Sequence, residues 1–249
     1  MPQPTTSDVH VDRPLSNIAI GYKNQEYVAD QVFPVLPVEK QSDKYFIWTK
    51  DFWFRNTVEM RAPGDTYPEG GIELSTSEYF ADLYHQGFPL NDEEIANQDE
   101  AVELAQTGAE WIADQFLLNR EILIAGDIFV SGKWATDVPL TGTNQWSDFA
   151  NSDPIGDVDT GKQTIQKSTG RVPNRLLVGQ EVLDILKQHP LLLDKFKHTS
   201  VGILSAEQVA DALNIEKILV GTSVQNTAGE GATFAGAYIW GKNALLLYV

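Results

Sequence analysis

The sequence predicts an α+β protein in which an extended N-terminal half precedes a compact C-terminal half. Three features support this fold class: a hairpin rich in aromatic residues over 43–86, one very long amphipathic helix that begins near 91, and alternating helices and strands after 152. The first 40 residues contain apolar side chains among prolines, which predicts an extended arm with a short helical turn over 24–29. Such an arm must lie against other protein surface.

Aromatic side chains dominate the first strand of the predicted hairpin. Six of the ten residues over 45–54 are aromatic, namely Tyr45, Phe46, Trp48, Phe52, Trp53 and Phe54. A strand places alternate side chains on opposite faces, so a strand over 43–60 would carry rings on both. The turn sequence RAPGDTYPEGG and a second two-faced strand over 72–86 follow. The pattern fits two strands inside an ordinary core sheet, or a hairpin covered by a second molecule.

The helix that follows is too long for a compact domain of this size. Asn91 and Glu94 form a candidate capping box, and apolar or small residues recur at steps of three, four or seven as far as Leu123. A helix over 91–125 would be roughly 50 Å long, with Gly108 as its weak point. The average helix has about 12 residues. A compact domain of this size has little use for a helix about three times as long, so the length favours a flat subunit.

Turn and capping signals divide the C-terminal half into short elements. They predict helices over 154–169, 180–189 and 206–213, and strands over 175–179, 217–224 and 237–249, with a hairpin loop around Gly229. The sequence stops inside an apolar run that ends at Val249, and we expect further residues beyond it.

Charge and composition exclude several classes of protein. The net charge is −17, and residues 91–129 hold ten acids and one base, which most simply describes a solvated helix face. A surface this acidic repels phosphate backbones, so sequence-specific nucleic-acid binding is not expected. The N-terminus lacks the features of a secretory signal, and no apolar run reaches the roughly 18 residues of a membrane helix.

No catalytic or metal-binding signature is present. The chain has no cysteine, and its four histidines, His10, His85, His189 and His198, lack metal-site spacing. We expect His189 and His198 at the surface. Neighbouring acids such as Glu93 and Glu94 point about 100° apart on a helix and do not converge. The sequence therefore predicts no enzyme activity, no metal and no cofactor.

Five segments resemble one known family in collinear order. LSNIAIGYKNQEYVADQVFPVLPVEKQSDKY is similar to the N-terminal arm of tailed-bacteriophage major capsid proteins of the Hong Kong 97 fold type. The other segments are RAPGDTYPEGG with the spine segment after it, QWSDFANSDPIGDV, TGRVPNRLLVGQEV and YIWGKNALLLYV. The similarity covers nearly the whole chain.

The resemblance implies an architecture and a function. Residues 1–40 would be the N-terminal arm, 41–90 an extended β-hairpin loop, 91–151 a peripheral domain with the spine helix and added strand material over 130–150, and 152–249 an axial α/β domain with a return strand. Hexamers and pentamers of the chain would close an icosahedral shell around double-stranded DNA. Portal and scaffolding proteins would be partners, the assembled virion the location, and the host cytoplasm the site of assembly.

Two sets of site residues are implied. The hairpin aromatics Tyr45, Phe46, Trp48, Phe52, Trp53 and Phe54 would lie at subunit interfaces, and Asp99, Glu100 and Glu103 would face the lumen. Two other functions remain open at this point. One is an encapsulin compartment, which has the same fold and holds cargo enzymes; the other is an acidic hydrolase whose carboxylates converge only in the folded chain.

Overall fold

A computed structural model describes residues 24, 26–64, 66, 70–97, 104–197 and 202–249 of the chain. Most of the predicted N-terminal arm, the predicted lumen-facing acids and His198 lie outside these ranges. The elements of the N-terminal half are short except for one helix. They are α1 (Ala29–Val32), β1 (Ser42–Trp48), α2 (Lys50–Trp53), β2 (Leu74–Phe80), α3 (Asp92–Asn97) and α4 (Leu104–Ile128).

The C-terminal half alternates helices and strands, as the capping signals predict. Its elements are α5 (Pro154–Thr169), β3 (Arg175–Gly179), α6 (Gln180–Gln188), α7 (Pro190–Lys195), α8 (Ala206–Ala212), β4 (Lys217–Gly221), β5 (Val224–Asn226), β6 (Gly236–Tyr238) and β7 (Ala244–Leu247). The predicted helices and the strand at 175–179 are confirmed. The runs at 217–224 and 237–249 each form two short strands, and β5 and β6 pair around the predicted hairpin loop.

A three-stranded sheet organises the core. β3 lies in the centre, parallel to β4 and antiparallel to β7. Leu176 and Val178 point into a cluster with the surrounding helices of the C-terminal half, whereas Leu177 points into a second cluster on the opposite face. Because both faces of β3 are covered, its residues are apolar without alternation.

The second cluster joins the two halves of the chain. Val28, Ala29 and Val32 from the N-terminal segment pack with Ala125 and Ile128 near the end of α4, against the sheet. The helical turn predicted at 24–29 therefore forms a few residues later, at α1, where its apolar side chains reach this core.

Hydrogen bonds from side chains stabilise both ends of α8. Ser205 and Gln208 form the predicted capping box at its start. At its end, Lys195 Nζ donates to Ala212 O at 2.6 Å, and Lys162 Nζ donates to Leu213 O. Cations at this end are favoured by the helix dipole. Asn214 then adopts φ 51°, a left-handed conformation that ends the helix.

Three predictions about regular structure are wrong in part. Residues 129–151 hold a 3₁₀ turn at Gly142–Asn144 and no strand, because their backbone groups bond within local turns. The first hairpin strand ends at Trp48, since residues 50–53 close a helical turn through Phe54 N and Lys50 O. The long helix extends to Ile128, and its 25 residues from Leu104 span about 37 Å.

Candidate assembly surface

The predicted hairpin forms, and we call β1, α2 and β2 together the aromatic hairpin. Its strands pair antiparallel over seven residue pairs, from Ser42 opposite Phe80 to Trp48 opposite Leu74. Side chains reinforce both ends of the ladder: Tyr79 Oη donates to Lys40 O at 3.1 Å, and Thr49 Oγ1 donates to Glu73 O at 3.0 Å. The ribbon is therefore held together by its own hydrogen bonds.

Aromatic side chains of the hairpin are open to solvent on both faces. Tyr45, Phe46, Trp48, Trp53 and Phe54 are between 48 and 68% exposed, and Phe52 is half-buried. Burying one such ring stabilises by about 1.5–3 kcal/mol, so exposed rings in a cluster mark a contact surface. Every residue of β1 is exposed, which rules out the alternative that this strand lies inside a core sheet of its own subunit.

The helical turn α2 redirects the aromatic run. Trp48 and Trp53 meet edge to face with centroids 6.2 Å apart, and the Arg55 guanidinium lies 5.9 Å from the Phe52 ring centre. Because the strand ends at Trp48, the strict alternation of faces predicted through Phe54 is wrong. The rings after Trp48 therefore lie on a helical turn and not on the two faces of a strand.

Phe88, in the segment between β2 and α3, explains the glycine inside α4. A β-carbon built at Gly108 would lie 2.5 Å from Phe88 Cδ1, so only glycine leaves room for this ring. The Phe88 ring also packs against Trp111 at 6.0 Å between centroids. Gly108 weakens the helix by itself, but it is the position where the segment that leads out of the hairpin packs on α4.

The two sides of α4 differ in what covers them. Glu121, Ala125 and Ile128 are buried against the rest of the subunit, whereas Phe116 and Leu123 are exposed on the opposite side. The apolar spacing therefore predicts the helix but selects the side that the subunit leaves open.

Glu121 forms the centre of what we call the carboxylate joint. The side chain is 0% exposed. Its Oε1 accepts from Val28 N at 3.1 Å, Ser223 Oγ at 3.1 Å and Trp240 Nε1 at 2.6 Å, and its Oε2 accepts from Ala29 N at 3.0 Å. One carboxylate thus bonds α4 to the N-terminal segment and to the C-terminal half. In the sequence, Glu121 is one of the ten acids of the charged run over 91–129 and was not predicted to be buried. Its place four and seven residues before the apolar Ala125 and Ile128 was the available signal.

A buried serine and histidine lie together but lack the arrangement of a catalytic pair. Ser152 Oγ and His189 Nε2 are 3.1 Å apart, and Ser152 Oγ donates to Asp148 O. His189 Nδ1 accepts from Leu191 N, which fixes the neutral ring with its proton on Nε2. The ring nitrogen facing the serine is therefore a donor and does not act as a base toward it.

The prediction of a surface position for His189 is wrong, because the ring is 0% exposed and caps α7. Phe149 packs edge-on to it at 5.5 Å between centroids. Burial lowers the pKa of His189 from its ordinary value, and the charge of Asp153 opposes this shift. The ring is a structural cap held in its neutral form.

An open cavity of about 390 Å³ next to α2 is lined by Phe52, Trp53, Arg55 and neighbouring residues, with no carboxylate among them. In the described ranges, no three acidic or histidine side chains converge where they could hold a metal ion. None of the helices there combines the length and hydropathy needed to cross a bilayer. The uncovered aromatic hairpin is the feature of this geometry that needs a partner.

Asp99, Glu100 and Glu103 lie outside the described residues, so their orientation stays a prediction. The same holds for the interfacial role of Tyr45, Phe46, Trp48, Phe52, Trp53 and Phe54, whose exposure agrees with it.

The chain resembles capsid proteins of phages over nearly its full length. It is 29% identical to the major capsid protein of Burkholderia phage BcepMu and 27% identical to that of Pseudomonas phage JBD67, in each case over 96% of this chain and 76% or 77% of the relative. A phage-related protein from Bordetella bronchiseptica RB50 superposes with a TM-score of 0.68 at 28% identity, over 96% of this chain and 77% of its own. No family model matches.

A more distant structure shares the fold. The capsid structure of the cyanophage P-SCSP1u aligns with a TM-score of 0.54 at 11% identity, over 92% of this chain and 74% of its own. The cyanophage structure supports the fold alone, whereas the two phage relatives confirm the predicted resemblance to phage major capsid proteins and, with it, a structural role in a capsid.

Proposed function

We propose that this chain is a shell subunit of the Hong Kong 97 type, which closes an icosahedral capsid by repeated contacts of its aromatic hairpin with neighbouring copies. The observation that carries the proposal is the exposure of aromatic rings on both faces of the hairpin. One neighbour on each face would remove these rings from water. A buried interfacial tryptophan contributes about 2 kcal/mol or more, and a closed shell repeats that contact many times.

The rest of the architecture follows from the same proposal. Residues 1–40 form the arm, 41–90 the extended loop, 91–151 the peripheral domain and 152–249 the axial domain, which lines the centres of hexamers and pentamers. The shell encloses double-stranded phage DNA without reading its sequence, and the acids Asp99, Glu100 and Glu103 face that DNA. The subunit assembles in the host cytoplasm with portal and scaffolding proteins and ends in the virion.

The net charge of −17 favours a protein that encloses DNA, because a protein that binds DNA directly needs a basic surface. Repulsion between exposed charges extends only about 8 Å at physiological salt, so an acidic wall acts on the DNA layer next to it. DNA that is not held by the wall stays free to move during filling and exit.

Deletion of the outer part of the hairpin tests the proposal. Replacing residues 51–74 by a short glycine bridge should leave a folded, soluble subunit that forms no closed shell in electron micrographs or on a sizing column. Circular dichroism and thermal unfolding of the same sample report whether the subunit still folds. Outright unfolding of the deleted chain would contradict the proposal, because it would show that the hairpin supports its own subunit.

Point variants show whether the two tryptophans contribute to contacts between subunits or to the stability of their own subunit. Trp48→Ala and Trp53→Ala should raise the concentration needed for assembly by about 30-fold or more, the equivalent of 2 kcal/mol. The midpoint of subunit unfolding should move little, since both rings are exposed. Glu78→Gln, an exposed change opposite Lys44 on the same ribbon, is the matched control.

Nuclease-resistant DNA inside native particles distinguishes a phage capsid from an encapsulin compartment, which would hold protein cargo.

A further inference from the structure

The loop end of the aromatic hairpin touches its own subunit at the end of α5. Lys50 Nζ donates a hydrogen bond to Ser168 O at 3.2 Å. The Phe54 ring lies over Gly170, where an added β-carbon would be 3.0 Å from Phe54 Cζ. Lys50 is the first residue of the helical turn α2 and Phe54 directly follows its last, so the two contacts hold the same short segment against one helix terminus.

The terminus of α5 is suited to both contacts. The last four carbonyls of a helix lack partners inside the helix, and the dipole makes this end negative, so a lysine ammonium is favoured there. Gly170 ends the helix at φ 70°, in the left-handed region. Its lack of a side chain also leaves a flat surface that the edge of the Phe54 ring can approach.

We infer that Lys50 and Phe54 are positioning residues for assembly: they dock the loop end of the aromatic hairpin on the C-terminus of α5 and so fix the direction in which the hairpin presents its rings to the next copy. This inference rests on the proposed shell function and adds how one subunit sets the angle of contact.

The length of the ribbon explains why a small dock matters. Seven paired residues span about 24 Å at 3.4 Å per residue. A rotation of roughly 10° about the base would therefore move the loop end by about 4 Å, which is more than a packed ring contact tolerates. The dock consists of one exposed hydrogen bond and one ring edge, so it orients the hairpin while remaining weak enough to adjust when a neighbour binds.

Hydrogen exchange on the unassembled full chain tests the dock directly. Lys50→Met and Phe54→Ala should each speed amide exchange in α2 by roughly fivefold, with exchange in β3 and the unfolding midpoint unchanged. Lys50→Arg keeps a cationic donor and should restore the exchange rate of the parent. Lys44→Met removes an exposed lysine from the same ribbon, away from α5, and should leave exchange in α2 at the parent value.

Electron microscopy of assembly products provides the second measurement. Lys50→Met and Phe54→Ala should give particles with a broader range of diameters or open sheets, whereas Lys50→Arg gives particles of the parent size. Exchange in α2 that matches the parent in both variants, or particles of parent size in both, would overturn the inference while the shell function stands. A parent chain that forms no particles under any condition would overturn the shell function, and the exchange data would still decide the dock.

Discussion

Replacing Glu121 with alanine should loosen the joint between α4, the N-terminal segment and the C-terminal half. The carboxylate is fully buried and accepts from two backbone N–H groups, one hydroxyl and one indole N–H. Alanine would leave all four donors without this partner in the interior. We expect the N-terminal segment to detach from α4 before the C-terminal sheet unfolds, because Val28 and Ala29 depend on this carboxylate.

The magnitude follows from the donors left behind. Each buried donor without a partner costs about 1–3 kcal/mol, and part of this sum is offset because a buried charge is also removed. We expect a loss of about 3–5 kcal/mol in the free energy of unfolding for Glu121→Ala, which is the range for breaking a buried, bonded charge. Glu121→Gln keeps the shape but places an N–H group where Oε2 accepts from Ala29 N, and should cost about 2 kcal/mol.

Chemical denaturation combined with hydrogen exchange measures this effect. The order of stability should be parent, Glu121→Gln, Glu121→Ala, and the amides of Val28 and Ala29 should exchange faster in both variants. Glu110→Gln is the matched control, since Glu110 is an exposed glutamate on the same helix. A Glu121→Ala chain that unfolds at the same denaturant concentration as the parent, with unchanged exchange at both amides, would refute the reasoning.

Three further predictions concern other sites. Burial lowers the pKa of His189, so the folded state binds this proton less readily than the unfolded chain. The neutral ring contributes fully to stability above pH 6.5, and the contribution falls as the pH drops below that value, by up to about 1.4 kcal/mol per pH unit. His189→Gln removes the titrating group and should flatten this part of the stability-versus-pH curve, whereas an unchanged slope would contradict the assignment to His189. Asn214 holds a left-handed φ, so Asn214→Ala should lower the free energy of unfolding by about 1 kcal/mol whereas Asn214→Gly should not; equal denaturation midpoints for the two variants would contradict this. Replacing Asp99, Glu100 and Glu103 together with lysine should make empty shells bind DNA in a salt-sensitive way, and a gel shift at low salt that shows no gain over the parent would argue against their lumenal position.

Local signals in the sequence located much of the C-terminal half. Asp153 caps α5 with Gly170 at its other end, and Ser205 with Gln208 caps α8, each as the sequence predicts. Capping and left-handed termination are decided by a few neighbouring residues, so they are visible without the fold. The antiparallel hairpin was predictable for the same reason, since its turn residues and two-faced strands are local.

Burial at particular positions was not predictable from local pattern. The spacing on α4 favoured a side that includes Phe116 and Leu123, yet the subunit buries Glu121, Ala125 and Ile128. A helix with apolar residues on two sides gives no local indication of which side its own chain covers. That choice depends on where the N-terminal segment and the sheet pack.

The sequence by itself determined the α+β fold class, the bounds of several helices and the presence of an aromatic hairpin, because periodicity, caps and turns act over a few residues. The tertiary structure decided that the rings of this hairpin are exposed and not part of a core sheet. Only the tertiary structure decided the hydrogen-bond partners of Glu121, His189 and Lys50. Their partners lie far along the chain: Trp240 for Glu121, Ser152 for His189 and Ser168 for Lys50. A buried carboxylate is stable only where distant donors converge on it, and such convergence is a property of the folded chain.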